Sequence, residues 1–293
     1  IGQALVAQGP ALPPEESEAK ARLLSSPRHG EWVSYDAGES DSVEAFVVYP
    51  ERATKAPVVI VIHEIYGLTD WVRAVADQFA AEGFIAIAPD FLSGKGKDGK
   101  GSRGTDADGA RSLIATLGMD EIVRRLDGAA RYGASLPAST GAFAAVGYCW
   151  GGGISFAWAT RQSELSAAVF YYGTAPAVET LARVRAPLLG LYGGNDARVN
   201  ATIPAAEAEL KRLGKPFDYA IYPGAGHAFL RQLGGQSGAN LKAAQAAWPR
   251  TIEFLRASLG DRASTLDSGG LVLGAAAGRD EADDCAEFCA IPG

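Results

Sequence analysis

The segment Gly147-Tyr148-Cys149-Trp150-Gly151 places a cysteine between two glycines, each two residues away. The pattern is that of a nucleophile elbow, Gly-x-Ser-x-Gly, with cysteine in the serine position. An apolar run of strand length, Ala142–Tyr148, precedes it, and a glycine-rich helix start, Trp150–Thr160, follows. Flanking glycines permit a sharp strand-to-helix turn that lifts the central side chain clear of a sheet. The helix start adds free N–H groups and a partial positive charge, both favourable to a thiolate and to a developing oxyanion. With Gly at 36 of 293 positions, chance would flank one of the three cysteines in this way about 0.04 times. The bland alternative is a buried structural cysteine between packing glycines.

A thiol nucleophile needs a base, and the base needs an orienting acid. Of the three histidines, His29 lies in an N-terminal arm and His63 ends an apolar strand. His227 sits in the glycine-rich Pro223-Gly224-Ala225-Gly226-His227, after the last expected strand. Asp196 follows another strand in Gly193-Gly194-Asn195-Asp196. The order nucleophile, acid, histidine is that of α/β-hydrolases, and each member falls after the carboxyl end of a strand, where open α/β sheets bind ligands. An oxyanion hole would use the backbone N–H of Trp150 and that of Ile65, in His63-Glu64-Ile65-Tyr66-Gly67. In the bland alternatives Asp196 caps a turn or helix, His227 is a loop histidine and Glu64 is a solvated carboxylate.

The elements that must position these groups are legible as apolar runs. Val43–Tyr49, Pro57–His63, Phe84–Asp90, Ala142–Tyr148, Ala167–Tyr172, Pro187–Tyr192 and Asp218–Tyr222 read as strands. Helical periodicity occupies Asp70–Glu82, Asp120–Leu136, Trp150–Thr160, Ile203–Leu213 and Asn240–Leu259. Continuous apolar strands separated by amphipathic helices predict a mostly parallel central sheet in a three-layer α/β sandwich. Phe91–Gly109 breaks the rhythm as a long loop carrying Lys95, Lys97, Lys100 and Arg103 among glycines.

These segments together resemble the dienelactone hydrolase family over roughly residues 31–260. HEIYGL at 63–68, APDFL at 88–92, GYCWGG at 147–152, GGNDARV at 193–199 and GAGHAF at 224–229 match that family in order and spacing. The resemblance implies an α/β-hydrolase fold, hydrolysis of lactones or esters, and a triad of Cys149, Asp196 and His227. It also implies that Glu64 hydrogen-bonds the resting cysteine until substrate displaces it and the thiolate forms. Two arginines hold the substrate's carboxylate in the best-studied type. Arg231, four residues after His227, matches one, whereas the other place is Gly94 here, leaving Arg103 or the nearby lysines as substitutes. Tyr66, Trp71, Trp150, Phe170, Tyr171, Tyr172 and Phe229 flank the motifs as candidate pocket aromatics.

Composition narrows the remaining classes. Hydrophobic residues make up 47% and charged residues 21%, enough for one sizeable core and too apolar for disorder. A charge of −7 from 27 basic and 34 acidic residues argues against a nucleic-acid partner. No apolar run approaches the ~18 residues of a membrane helix, so no membrane partner is expected. Neither a metal nor an organic cofactor is required, and the expected partner is a small lactone or ester, with the oligomeric state open. Residues 1–30 read as a lead-in arm whose first eight residues resemble a signal remnant, with export and a cytoplasmic location equally open. Residues 31–260 form the hydrolase domain, and 261–293 read as a flexible tail in which Cys285 and Cys289 are free thiols or one local disulfide. Two rivals stand beside the lactonase: a broad esterase, thioesterase or activated-phosphoester hydrolase, and a non-catalytic binding or thiol redox-sensing protein.

Overall fold

The apolar runs become the strands of one eight-stranded sheet in the computed structural model, which describes residues 9–260. Residues 1–8 and the expected tail with Cys285 and Cys289 lie outside the described residues. The strands are β1 (Gly30–Asp36), β2 (Ser42–Val48), β3 (Ala56–Ile62), β4 (Ile85–Pro89), β5 (Ser139–Tyr148), β6 (Ala168–Tyr171), β7 (Leu188–Gly193) and β8 (Phe217–Tyr222). Their spatial order is β1-β2-β4-β3-β5-β6-β7-β8. The pairs β1–β2 and β2–β4 are antiparallel, and every other pair is parallel. Strands β3, β4, β6 and β7 are buried along their whole length, as their unbroken apolar sequences require.

Eight α-helices run in chain order among the described residues: α1 (Ala19–Ser25), α2 (Asp70–Ala81), α3 (Ala107–Ile114), α4 (Met119–Ser135), α5 (Trp150–Ala159), α6 (Ala197–Asn200), α7 (Ile203–Arg212) and α8 (Ala239–Leu259). Alternation along β3 divides the core. Val59 and Val61 face a layer containing Trp71 and Phe79 of α2 and Trp248 of α8. Ile60 and Ile62 face the opposite layer, with Leu126 of α4, Trp158 of α5 and Leu210 of α7. Burying each such side chain contributes roughly 1.5–3 kcal/mol. The result is the three-layer sandwich with a mostly parallel sheet.

Two elements depart from expectation. Strand β1 precedes the run at Val43–Tyr49 and pairs with β2 along its length as a half-exposed edge. The segment 91–109 is no unstructured loop. Asp90, fully buried at the end of β4, accepts hydrogen bonds from the Leu92 N–H (2.9 Å), the Ser102 N–H (2.8 Å) and the Ser102 hydroxyl (2.6 Å). Arg125 of α4 donates to the carbonyls of Phe91 (2.7 Å) and Ser93 (3.2 Å) while pairing with Asp41. Asp106 then caps α3 by accepting from the Gly109 N–H at 2.8 Å. The arm is also tied down: Trp71 Nε1 donates to the Pro14 carbonyl at 3.1 Å, and Ala19 is fully buried.

Candidate active site

Four strand ends deliver the candidate residues: Glu64 and Ile65 follow β3, Cys149 follows β5, Asp196 follows β7 and His227 follows β8. Cys149 sits at φ 56° and ψ −117°, between the last residue of β5 and the first of α5. For a residue with a Cβ this conformation costs about 1–3 kcal/mol and persists only where the surroundings enforce it. The enforcement is backbone against backbone. A Cβ on Gly147 would collide with the Gly151 carbonyl, and one on Gly151 with the carbonyls of Ile62 and His63. The Cys149 N–H meanwhile donates to the Tyr171 carbonyl at 3.1 Å. The elbow is therefore wedged between β3 and β6.

The sulfur opens onto a cavity of about 540 Å³, lined by Ile65, Trp150, Ile154, Tyr172 and Arg198 among others. Burial pushes the Cys149 thiol up to about 11, and the charge of Glu64 pushes the same way. The backbone N–H groups of Trp150 and Ile65 and the guanidinium of Arg198 act in opposition. The resting group is thus a protonated thiol.

His227 Nδ1 lies 2.5 Å from Asp196 Oδ2, and the other oxygen of Asp196 accepts from the Val199 N–H at 3.5 Å, capping α6. One carboxylate thus fills both the capping role and the histidine-pairing role. Because a carboxylate only accepts, Nδ1 carries the proton and Nε2 is left as the basic nitrogen. Among the described residues no hydrogen bond joins Nε2 to Cys149. Tyr172 is close to both: its ring centroid is 5.0 Å from that of His227, and it lines the same cavity as Cys149.

Glu64 departs from the expected contact with the resting thiol. It is 3% exposed, and its carboxylate pairs with Arg231, Nε to Oε2 at 2.7 Å. Burial pushes Glu64 up to about 7, against the pull of Arg231 and with a further push from Glu16. Arg231 is in turn pinned by Glu16 of the N-terminal arm and lies over the Tyr66 ring at 5.3 Å. It lines a separate cavity of about 270 Å³ with Glu16 and Tyr66, away from the one that Cys149 borders. Two carboxylates of the chain already pair with it. Arg103 also lies apart: it pairs with Glu44 and stacks over Trp32 at 4.6 Å. Of the candidate aromatics, Trp150 and Tyr172 border the Cys149 cavity, whereas Trp71, Phe170, Tyr171 and Phe229 are core.

Sequence reasoning passed over Arg198 and gave His63 no role. Arg198 is the one charged residue bordering the cavity, and among the described residues no ion pair or hydrogen bond holds it. Its signal was its place two residues after Asp196. The direction of a side chain on a four-residue helix, however, is set by tertiary packing. His63 is fully buried against Trp150 and Phe91.

Residues 43–259 match the dienelactone hydrolase family. A carboxymethylenebutenolidase of Pseudomonas putida is 29% identical over 231 residues, spanning 77% of this chain and 95% of that protein. The fold recurs in a dienelactone hydrolase of Anabaena variabilis (TM-score 0.59, 23% identity, covering 79% of this chain and 99% of the other). It recurs also in a dienelactone hydrolase-like promiscuous phosphotriesterase from metagenomic libraries (TM-score 0.65, 23% identity, 77% and 98%). With its α/β-hydrolase fold and this match over most of its described length, the chain belongs to the dienelactone hydrolase family, whose members are ester hydrolases.

Proposed function

We propose that the chain hydrolyses lactones and carboxylic esters through Cys149, by way of a thioester acyl-enzyme. The observation that carries this reading is the strained elbow, which holds one thiol on the wall of a cavity that Ile65 and Trp150 also line. As Sγ bonds to the substrate carbonyl, its proton passes to His227 Nε2 and the carbonyl electron pair moves onto oxygen. The two N–H groups stabilise that oxyanion. Apo contacts between nucleophile and base are often long and tighten with substrate in place. Collapse re-forms the carbonyl, breaks the C–O bond and returns the proton from His227 to the departing alkoxide or enolate. Water then gives a proton to His227 and adds to the thioester, and the C–S bond breaks with the proton going back to sulfur. Asp196 holds the imidazole in the required tautomer throughout. Burial keeps the resting thiol protonated, and the charge of Glu64, where that carboxyl is ionised, adds to the effect.

The cavity supports breadth as much as strict lactone specificity. Its lining is largely apolar, and its one cation is Arg198, since Arg231 and Arg103 are engaged elsewhere. A redox-sensing role is less supported, because a thiol held protonated is a slow target for peroxide. Turnover of a chromogenic ester by wild type and Cys149→Ala tests the reading, with mass spectrometry of a quenched reaction to detect the thioester. Loss of turnover in the variant and an acyl adduct on Cys149 are expected. Equal turnover by both proteins overturns it.

A further inference from the structure

His63 is a titratable side chain that the mechanism above leaves unused. It ends the buried strand β3, is 0% exposed and is packed on two aromatic rings, Trp150 at 5.5 Å and an interplanar 23°, and Phe91 at 5.2 Å edge-on. Both ring nitrogens have partners. Nδ1 lies 2.7 Å from the Glu64 carbonyl oxygen, and the Phe91 N–H donates to Nε2 at 3.2 Å. A carbonyl can only accept and a backbone N–H can only donate, so the proton resides on Nδ1. Burial holds the imidazole's pKa below its ordinary value and keeps the ring neutral.

The Glu64 carbonyl and the Ile65 N–H are two ends of one peptide plane. That peptide is trans, so its N–H points opposite to its C=O. Gripping the carbonyl from the His63 side turns the Ile65 N–H the opposite way, beside the cavity that Ile65 and Cys149 both line. A donor on the carbonyl also polarises the N–H across the plane. The Gly67 N–H shares the Glu64 carbonyl at 3.2 Å, so the imidazole is the shorter of two restraints. The same ring lies flat against Trp150, whose N–H is the second donor.

We propose that His63 is the positioning residue of the oxyanion hole, its Nδ1–H setting the Glu64–Ile65 peptide plane and its face bracing Trp150. The inference rests on the hydrolytic reading above. It assigns a role that no group touching substrate performs: His63 acts on the transition state through two backbone donors.

His63→Asn and His63→Gln separate this role from simple packing. Asn places its amide donor near the Nδ1 position and retains the bond to the Glu64 carbonyl. Gln reaches the Nε2 position, retains the bond to Phe91 and loses the one to Glu64. Both remove the ring. On a chromogenic ester, kcat of His63→Gln is expected to fall about 30-fold with KM within about twofold, while His63→Asn stays within about fivefold of wild-type kcat. Equal losses in the two variants, or losses confined to KM, overturn the proposal.

A measurement on the wild-type protein stands where either variant fails to fold. A trifluoromethyl ketone that adds to Cys149 creates the oxyanion, and the NMR resonances of His63 Nδ1–H and Ile65 N–H should shift together as it binds. If the Ile65 signal moves while His63 does not, the two are uncoupled and the proposal falls. Cys149→Ala distinguishes the levels. If that variant keeps full activity, the hydrolytic reading itself fails. If it is inactive while His63→Gln is unimpaired, the failure belongs to His63 alone.

Discussion

Two buried carboxylates belong to the candidate site, and their partners differ in kind. Asp196, 7% exposed, pairs with an imidazole whose second nitrogen makes no bond among the described residues. Glu64, 3% exposed, pairs with a guanidinium that Glu16 also holds. The first pair has basicity left over for a reacting group. The second is closed on itself, and what it offers the sulfur is charge at a distance. The proposed chemistry therefore falls to the pair with an unspent lone pair, and the proposed electrostatic restraint to the other.

The sharpest break in this contrast is removal of the imidazole. His227→Ala should lower kcat for an activated ester on the order of 10³-fold with little change in KM. Asp196→Asn should cost on the order of 10²-fold, because an amide at that place favours the wrong tautomer. Steady-state kinetics of both variants on one substrate give the ranking. A fall in KM alone, or a larger loss for Asp196→Asn than for His227→Ala, would assign the base wrongly.

Glu64→Gln breaks the other member. The Glu64 carboxyl is raised to about 7, so between its ordinary 4.5 and that value the folded protein holds a proton that the unfolded chain has released. Its contribution is present below about pH 4.5 and is lost as pH rises through 7, an elevation that corresponds to about 3 kcal/mol. Urea unfolding at pH 5 and pH 8 should show wild type losing stability relative to Glu64→Gln over that span. The same variant removes a charge that raises the thiol, so Cys149 should be alkylated by iodoacetamide faster than in wild type at pH 8. Unchanged alkylation would mean that the charge of Glu64 does not reach the sulfur.

The contrast also marks what the chain discloses before folding. Asp196, His227 and Cys149 stand in loops directly after apolar runs, and a parallel sheet collects such loops at one edge, so the pairing of Asp196 with His227 was legible. Strand β1 was not, because Trp32 and Val33 are adjacent and break the two-residue alternation; its strand character comes from pairing with β2. Helix α3 is short and polar, and depends on the cap from Asp106. The Arg231 partnership escaped for a different reason. Glu16 lies 215 residues away in sequence, and no local pattern encodes an ion pair closed only by the finished fold. His63 reads as the end of an apolar strand because the role proposed for it is exercised through neighbouring peptide bonds.

If Arg231 is spent on carboxylates of its own chain, a carboxylate on the substrate must find another cation, and Arg198 is the one bordering the cavity. Arg198→Ala should reduce kcat/KM about tenfold for esters that carry a carboxylate and leave neutral esters within about twofold. Equal effects on both substrate types would remove Arg198 from recognition. A selective loss in Arg231→Ala instead would mean that the Glu64 and Glu16 contacts open during turnover.

The smallest effect is expected where the closed pair meets the arm. Glu16 is half exposed, and Glu64 stays paired with Arg231 when it is removed. Glu16→Ala should therefore shift stability by no more than about 1 kcal/mol in denaturant unfolding, the ordinary worth of a solvent-exposed ion pair. Its informative readout is the pH at which the Glu64 carboxyl ionises, followed by infrared difference spectroscopy against Glu64→Gln. Glu16 pushes Glu64 upward, so its loss should bring that ionisation below about 7. Arg231, relieved of one partner, would hold the remaining carboxylate more strongly. An unmoved Glu64 would show that the arm carboxylate is screened by solvent and that the pair closes on itself without help from Glu16.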